Sequence, residues 1–175
     1  MSRIKIPQPE EEKTPRFIAK FSHVSEEQYR RDLGDPRGAL LLQEIPLPKR
    51  STRGSAGYDF VSPVEAEIPA GGRVVIPTGL RCEMEPGWVL MLFPRSGMGF
   101  KYQTRLSNTV GIIDSDYAFA ENEGHILVSL RNPLDRELLI QRGTRFCQGI
   151  FLPYGLAEEE EDFQDRTGGF GSTGK

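Results

Sequence analysis

Cysteine and histidine are scarce in this chain, and their spacing excludes several classes of site. The two cysteines, Cys82 and Cys147, form no CxxC pair, so neither a disulfide framework nor a zinc site is expected. The two histidines, His23 and His125, lack HxxxH or HExxH spacing and any context that would activate a serine or cysteine nucleophile. Both histidines are therefore interpreted as solvated or structural residues.

The chain also lacks a strong net charge and a long apolar run. It carries 22 Lys and Arg against 25 Asp and Glu, a formal net charge of −3, which gives no basis for a nucleic-acid surface. No apolar run approaches the about 18 residues of a membrane span, and the N-terminus has no signal-peptide core. We therefore expect a soluble, cytoplasmic protein that binds neither nucleic acid nor a membrane.

The sequence is rich in residues that interrupt regular secondary structure, with 19 Gly and 13 Pro over 175 residues. This pattern favours one all-β domain of short strands joined by tight turns. We expect a flexible tail at 1–15, the β domain at 16–155, and an acidic tether with a Gly-rich arm at 156–175. The one helix is predicted from Ser25 to Leu33, because Ser25 and Gln28 have capping-box spacing and Gly34 follows.

Strands are predicted from apolar or alternating runs between turn residues. Pro69 to Gly72 is interpreted as the turn of a hairpin, and Pro94 to Gly97 as a turn that ends a strand. The predicted strands cover 16–21, 39–45, 64–68, 73–80, 88–93, 125–131, 137–140 and 145–152.

The most informative stretch runs from Asn108 to Tyr117. Its apolar run predicts a buried strand in which Gly111 marks a bulge or a close approach. The run ends in Asp114 and Asp116, and a partly desolvated carboxylate at the rim of the core suits a general base. A polar turn closing a hairpin is the alternative interpretation of the same residues.

The C-terminal arm contains GxxxxGK at 169–175, but it is not a P-loop, because no strand precedes it and no helix can follow Lys175. Its Gly-rich backbone can still wrap a phosphate, helped by Arg166 and Ser172. Phe170 has nothing local to pack on, so stacking on a planar ring is a plausible role. The remaining chemistry is a carboxylate and water acting on a phosphate, with a hard cation held by the ligand's own oxygens.

Five stretches, taken in order, resemble the five motifs of trimeric dUTP diphosphatases (dUTPases), in the variant of Gram-positive bacteria and their phages. They are SAGYDF at 55–60, PRSGM at 94–98, GIIDSDY at 111–117, RGTRFCQ at 142–148 and GGFGSTG at 168–174.

The resemblance implies a jelly-roll (β-clip) protomer in a homotrimer, with active sites at the subunit interfaces and the C-terminal arm closing over each. It implies hydrolysis of dUTP to dUMP and pyrophosphate with Mg²⁺, which keeps uracil out of DNA and supplies dUMP for dTMP synthesis. It also implies that Asp114 orients and deprotonates the attacking water. Tyr117 would then lie against the deoxyribose and exclude a 2′-hydroxyl.

The remaining family roles concern the base, the phosphates and the metal. Asn108 and the backbone at Ile112 and Ile113 would read the uracil edge, while Asp59 would hold Mg²⁺ through its water shell. The phosphates would be held by Arg95, Ser96, Gly97 and Gln148. From the arm, Phe170 would stack on uracil, Arg166 and Ser172 would hold the γ-phosphate, and Gly171 would also contact the substrate.

The chain departs from the family pattern at three places, one of which is Cys147, where the family commonly has Ala and which is interpreted as a small buried residue without chemistry. Arg166 stands one residue closer to Phe170 than usual, and residues 118–125 replace the usual Arg-Gly-Glu with what is interpreted as a longer hairpin tip.

Two alternative functions share the scaffold. One is dCTP deamination, and the other is a nucleotide-sensing role, alone or added to catalysis, with a regulatory partner that the sequence does not identify.

Overall fold

Short strands are the main secondary structure in the computed structural model, which describes residues 16–34 and 38–158. The predicted tail at 1–15 and the arm residues Arg166, Phe170, Gly171 and Ser172 lie outside the described residues. The strands are β1 Ala19–His23, β2 Lys49–Arg50, β3 Tyr58–Val61, β4 Ala66–Ile68, β5 Arg73–Pro77, β6 Leu80–Met84, β7 Trp88–Pro94, β8 Arg105–Leu106, β9 Gly111–Ile113, β10 Leu127–Arg131, β11 Leu138–Ile140 and β12 Arg145–Pro153. The helices are α1 Glu26–Leu33 and α2 Ser96–Tyr102, with 3₁₀ turns at Leu42–Glu44 and Ser115–Phe119.

The largest sheet has five strands in the order β2-β3-β12-β7-β9. Its long central strand β12 pairs antiparallel with β3 on one side and β7 on the other. Smaller antiparallel sheets join β5, β10 and β8, join β1 and β6, and join β4 and β11. Fully buried side chains from several of these sheets form one core, including Phe60, Ile68, Ile76, Leu90, Leu130 and Phe146. The all-β class predicted from the sequence is confirmed.

Helix α1 follows its sequence signals. The Ser25 side chain accepts a hydrogen bond from the Gln28 backbone N–H at 3.1 Å, as an N-cap should. Gly34 ends the helix at a φ of 71° and donates its N–H to the Arg30 carbonyl. None of the helices in the described residues is long and apolar enough to cross a membrane.

The predicted strand at 39–45 is wrong. The segment contains the 3₁₀ turn Leu42–Glu44, and the Glu44 carboxylate accepts the Leu41 backbone N–H at 2.9 Å. Leu42 and Ile45 are buried while Leu41 is exposed, so the apolar run covers the core with one side of a turn.

The predicted hairpin around Pro69 to Gly72 is also wrong, although the turn itself exists, with the Gly72 N–H donating to the Pro69 carbonyl at 2.9 Å. Strand β4 pairs with β11, and β5 pairs with β10, so the two strands leave the turn into different sheets. The buried Asn132 side chain holds this corner by donating to the Ile68 and Pro69 carbonyls. The predicted strand at 73–80 ends at Pro77, and β6 starts separately at Leu80 to pair with β1.

Candidate active site

The sheet register brings predicted phosphate-binding residues together. Asp59 on β3 lies opposite Gln148 on β12, and Gln148 lies opposite Phe93 on β7, two residues before Arg95. Residues directly opposite in an antiparallel pair project from the same face. Asp59, Gln148 and the chain entering α2 therefore meet at one end of the five-stranded sheet.

Asp59 is the centre of a charged cluster, which we call the Asp59 cluster and define as Asp59, Arg95, Arg145 and Ser51. The Arg95 Nε lies 2.8 Å from Asp59 Oδ1, and the Arg145 Nη1 lies 3.2 Å from Asp59 Oδ2. The Ser51 hydroxyl donates to the same Oδ2 at 2.9 Å. One carboxylate faces two guanidiniums that remain partly exposed, so the cluster presents surplus positive charge and is suited to an anion.

Arg145 and Ser51 are members of this cluster that the sequence interpretation assigns no role. A β-bulge lies between Arg145 and Cys147. Because of it, the regular alternation of side chains along a strand does not predict the face from which Arg145 projects. Arg145 and Gln148 are three residues apart and would project from opposite faces of a regular strand, but the extra residue turns both toward Asp59.

Ser96 and Gly97 begin α2, a helix where the sequence predicted only a turn, and Arg95 precedes it as the N-cap residue. That prediction is wrong because local propensity underestimates the segment: two glycines lower its helix propensity, yet burial of Met98 anchors it. Ser96 and Gly97 are exposed beside the Asp59 cluster. Apart from its chain neighbours and the backbone of α2 itself, no atom lies within 4 Å of where a Gly97 Cβ would stand, which leaves space for a ligand there.

Gln148 is positioned by contacts on both sides. Its Nε2 donates to the Pro94 carbonyl at 3.3 Å. A Cβ on Gly57 would stand only 2.5 Å from Gln148 Oε1, so the glycine of the first motif is needed for Gln148 to lie where it does.

The residues predicted to read the base line a cleft of about 300 Å³ between β9 and β10. Asn108, Ile112 and Ile113 contribute to it, together with Leu92, Ser107 and Ser129. A volume of a few hundred Å³ with mixed polar and apolar walls is typical of a small-molecule site. Gly111 is a point of close approach, as predicted, because a Cβ there would stand 2.9 Å from the Leu92 Cβ.

Asp114 and Tyr117 occupy the 3₁₀ turn that follows β9. Asp114 is half-buried at the N-cap, and its carbonyl accepts the Tyr117 N–H at 3.2 Å. Tyr117 is 5% exposed, and its hydroxyl donates to the His125 carbonyl at 2.9 Å. Both residues thus lie on a segment that is folded back against the 120–125 turn.

Within one chain, Asp114 and the Asp59 cluster are well separated. Gly111 pairs with Leu92 on β7, so Asp114 stands about four residues, or about 13 Å, along the strands from the Gln148–Phe93 row. Strand β9 also lies two strand spacings from β12. Together these two displacements put Asp114 about 16 Å from Gln148. The predicted site residues therefore fall into two groups, one around Asp59 and one on β9 and its following turn.

The residues around Asp59 do not form a cage for a metal ion. Among residues 16–34 and 38–158, no group of three or more His, Cys, Asp or Glu side chains could hold one. Asp59 Oδ2 already accepts from both Ser51 and Arg145, whereas Oδ1 accepts from Arg95 and retains a lone pair that can accept a hydrogen bond from a metal-bound water. This donor set fits a hard cation ligated chiefly by phosphate oxygens, with Asp59 acting through water.

Both histidines and Cys147 are structural, as the sequence predicted, and Cys82 is buried as well. Burial raises the pKa of the Cys82 and Cys147 thiols to about 12, so both are unreactive. His23 Nε2 bonds to the Ile45 carbonyl at 2.8 Å. His125 is completely buried and bonds to Asp32 and to Gly79.

Comparison with known proteins identifies the family. A dUTPase family model matches residues 43–174. The deoxyuridine 5′-triphosphate nucleotidohydrolase of Lactococcus lactis is 44% identical over 133 residues, which is 74% of this chain and 89% of the relative. The crystal structure of the dUTPase from Streptococcus mutans, 40% identical, superimposes with a TM-score of 0.61 over 70% of this chain and 99% of that one.

A more distant structure shares the fold. A mutant dUTPase from phage phi11 of S. aureus, described as coordinating a structural Mg(II) ion, superimposes with a TM-score of 0.61 at 18% identity, over 83% of this chain and 98% of that one. The coverage and identity of the bacterial relatives show that the chain belongs to the dUTPase family.

Proposed function

We propose that this protein hydrolyses dUTP to dUMP and pyrophosphate, with Asp114 as the general base. The observation that carries the proposal is the pairing of a half-buried carboxylate, beside a base-sized cleft, with a separate arginine-rich cluster suited to phosphates. A nucleoside triphosphate has a base and a polyphosphate at opposite ends, and these two groups of residues provide for one end each.

In the proposed reaction, Asp114 takes a proton from a water molecule whose oxygen attacks the α-phosphorus. The bond from that phosphorus to the α,β-bridging oxygen breaks, and pyrophosphate leaves with the bonding electrons. Negative charge grows on the phosphate oxygens, where Arg95, Arg145 and Gln148 stabilise it. Asp114 is the single base in this reaction. Proton transfer to one positioned side chain typically accelerates a reaction about 10²–10⁴-fold.

Base and sugar selection are assigned to β9 and the turn after it. Asn108 and the backbone at Ile112 and Ile113 line the cleft and would bond the uracil edge. Tyr117 would lie against the deoxyribose and leave no room for a 2′-hydroxyl. The bonds that the Tyr117 hydroxyl makes with His125 and Asn122 keep the ring in one orientation, which such a steric test requires.

The separation of about 16 Å between Asp114 and Gln148 supports a site made by two chains. In a homotrimer, the Asp59 cluster of one subunit would face the β9 segment of the next. Exposed apolar side chains on separate strands, Val75, Ile112 and Leu139, provide surface that such an assembly would bury.

Two further components complete the proposal. Mg²⁺, bound by the triphosphate and reached by Asp59 through water, would neutralise charge that develops on the phosphates. Arg166, Phe170, Gly171 and Ser172, which lie outside the described residues, would close over the nucleotide as a lid.

The direct test is pyrophosphate release with Mg²⁺ from dUTP, dTTP, dCTP and UTP measured in parallel. The proposal expects fast release from dUTP alone. Tight binding of dUTP without release would instead support a nucleotide-sensing role, and ammonia release from dCTP would identify a deaminase.

A further inference from the structure

Two polar links join helix α1 to the turn formed by residues 120–125. In the first, the Glu123 carboxylate accepts both the backbone N–H and the hydroxyl of Ser25, each at 2.7 Å. In the second, His125 Nδ1 lies 2.5 Å from Asp32 Oδ2. Helix α1 lies before the stretch at 43–174 that matches the family model, so these links connect a feature of this chain to the family's core.

The second link has defined hydrogen positions. His125 Nε2 accepts the Gly79 backbone N–H at 2.8 Å, so the proton of the neutral ring is on Nδ1 and is donated to Asp32. Asp32 also accepts from the Gln28 side chain at 2.7 Å, and the Tyr29 ring stands edge-on to the imidazole. Every polar atom of the buried imidazole therefore has a partner, and the link can adopt only one arrangement.

The 120–125 turn passes this constraint on to the segment after Asp114. The Tyr117 hydroxyl donates to the His125 carbonyl at 2.9 Å and accepts from Asn122 Nδ2 at 2.9 Å. Gly124 lies directly against the 3₁₀ turn, since a Cβ there would stand 2.6 Å from the Ala118 Cα. Arg81 supports the same turn from β6 by donating to the Ala118 carbonyl at 2.6 Å.

The need for such support follows from the topology. Strand β9, which lines the base cleft, is held by its pairing with β7. Residues 114–125 contain no strand, so no sheet ladder orients Asp114 or Tyr117. Side chains of α1 bond to Glu123 and His125 of the 120–125 turn, and Arg81 of β6 bonds to the Ala118 carbonyl, so both elements support the region around Tyr117.

We propose that Asp32, His125 and Glu123 are positioning residues through which helix α1 holds Tyr117 and the segment after Asp114 in the orientation that excludes a 2′-hydroxyl. This inference rests on the proposed function, because it assigns sugar selection to Tyr117. The proposal predicts that removing either hydrogen-bonded link changes the selectivity between dUTP and UTP, in addition to lowering stability.

The test compares Asp32→Ala with two matched variants. Asp32→Asn keeps an oxygen that can accept the His125 proton, and so serves as the conservative rescue. Glu27→Ala removes an exposed ion pair to Arg31 on the same helix without touching the 120–125 turn, and so controls for helix weakening. For each, kcat and KM for dUTP and UTP are measured well below the thermal midpoint.

We expect Asp32→Ala to lower the dUTP/UTP selectivity about tenfold, less than the about 10²-fold that a displacement of about 1 Å can cause. The loss should fall mainly on kcat, because the base cleft is held independently by β7. Asp32→Asn should restore most of the selectivity, and Glu27→Ala should match the wild type. A lower thermal midpoint with unchanged selectivity and kcat would overturn the proposal.

A second measurement does not depend on turnover. Hydrogen exchange at residues 115–120 should speed up in Asp32→Ala and not in Glu27→Ala. If the wild type fails to hydrolyse dUTP, the proposed function fails, while faster exchange would still support the mechanical link. Unchanged exchange in Asp32→Ala would overturn the link itself.

Discussion

Two carboxylates, Asp59 and Asp32, each organise a polar cluster, and they do so in opposite ways. Asp59 faces two guanidiniums that remain 32% and 53% exposed at the side chain, so its cluster carries surplus positive charge toward solvent. Asp32 faces a neutral, fully buried imidazole whose other nitrogen is also satisfied. The Asp59 cluster therefore has positive charge that is not balanced within the cluster. In the Asp32 cluster, both ring nitrogens of His125 already have hydrogen-bond partners, and we call this cluster closed.

The difference separates residues that meet a ligand from residues that hold others in place. A cluster with unbalanced charge at the surface gains energy when an anion arrives, whereas a closed hydrogen-bond network gains nothing from a ligand and resists rearrangement. This criterion supports the proposal that the Asp59 cluster binds the substrate. The Asp32–His125 pair belongs to positioning.

The largest expected effect comes from Asp114, which neither cluster contains. Asp114→Asn should lower kcat for dUTP about 10²–10⁴-fold, since it removes the base while retaining the shape of the side chain. Nucleotide affinity and oligomeric state should be unchanged, and Asp135→Asn, in an exposed loop, serves as the control. Near-normal turnover in Asp114→Asn would remove this residue as the base.

Removing an arginine from the Asp59 cluster should have the next largest effect. Arg95→Ala should lower kcat/KM for dUTP about 10- to 10²-fold, the range for a lost hydrogen bond to a charged group. Arg95→Lys should fall in between, because it keeps the charge but loses the planar fork. Steady-state kinetics measure this effect, and an unchanged kcat/KM in Arg95→Ala would place phosphate binding elsewhere.

In the 120–125 turn, which His125 connects to Asp32, the next effect is expected in stability. Gly124→Ala puts a Cβ 2.6 Å from the Ala118 Cα at a φ of 71°, and we expect destabilisation of about 2 kcal/mol or more. Gly87→Ala is the matched control, because its φ is 85° with no atom within 4 Å of the added Cβ. Denaturant unfolding of both variants separates backbone strain from packing; equal losses would mean that the 120–125 turn is not tightly packed.

The smallest effect should appear in the pH dependence of stability. Burial, the largest influence, lowers the pKa of His125 below its usual range, against the opposing effects of Asp32 and Glu123. The unfolded state therefore takes up a proton first, so the stability contributed by neutral His125 is complete above about pH 6.5 and declines as the pH falls toward the folded pKa.

Thermal midpoints of the wild type and of His125→Gln between about pH 5 and pH 7.5 test this direction. The wild type should lose more stability on acidification than the variant. Because Glu123 has a pKa below its usual range through its bonds to Ser25, its own contribution is lost only at lower pH and should not obscure the comparison. Parallel curves for the two proteins would contradict the assignment.

Local signals predicted the parts of the fold that depend on neighbours in sequence. The Ser25 cap and Gly34 stop specify α1, and the apolar run around Gly111 specifies β9. The five motifs in order identified the family, and the resemblance named Asn108, Ile112 and Ile113 at the base cleft and Asp59 and Arg95 in the Asp59 cluster. The roles of individual residues in that set stay predictions until the variants are measured.

The remaining features could not be predicted because they depend on partners far along the chain. Nothing near Pro69 shows that β4 and β5 pair with β11 and β10, since each pairing depends on burial completed by those distant strands. Arg145 joins Asp59 only because a β-bulge changes which face it projects from. His125 pairs with Asp32 across 93 positions of sequence.

The sequence by itself determined the all-β class, the first helix, the family and the chemical types at the site, because these depend on composition and short spacing. Only the tertiary structure decided that the site residues form two separated groups and that helix α1 supports one of them. The physical reason is that strand pairing and buried hydrogen bonds are satisfied between distant segments, and the order of residues along a chain does not record which distant groups will meet.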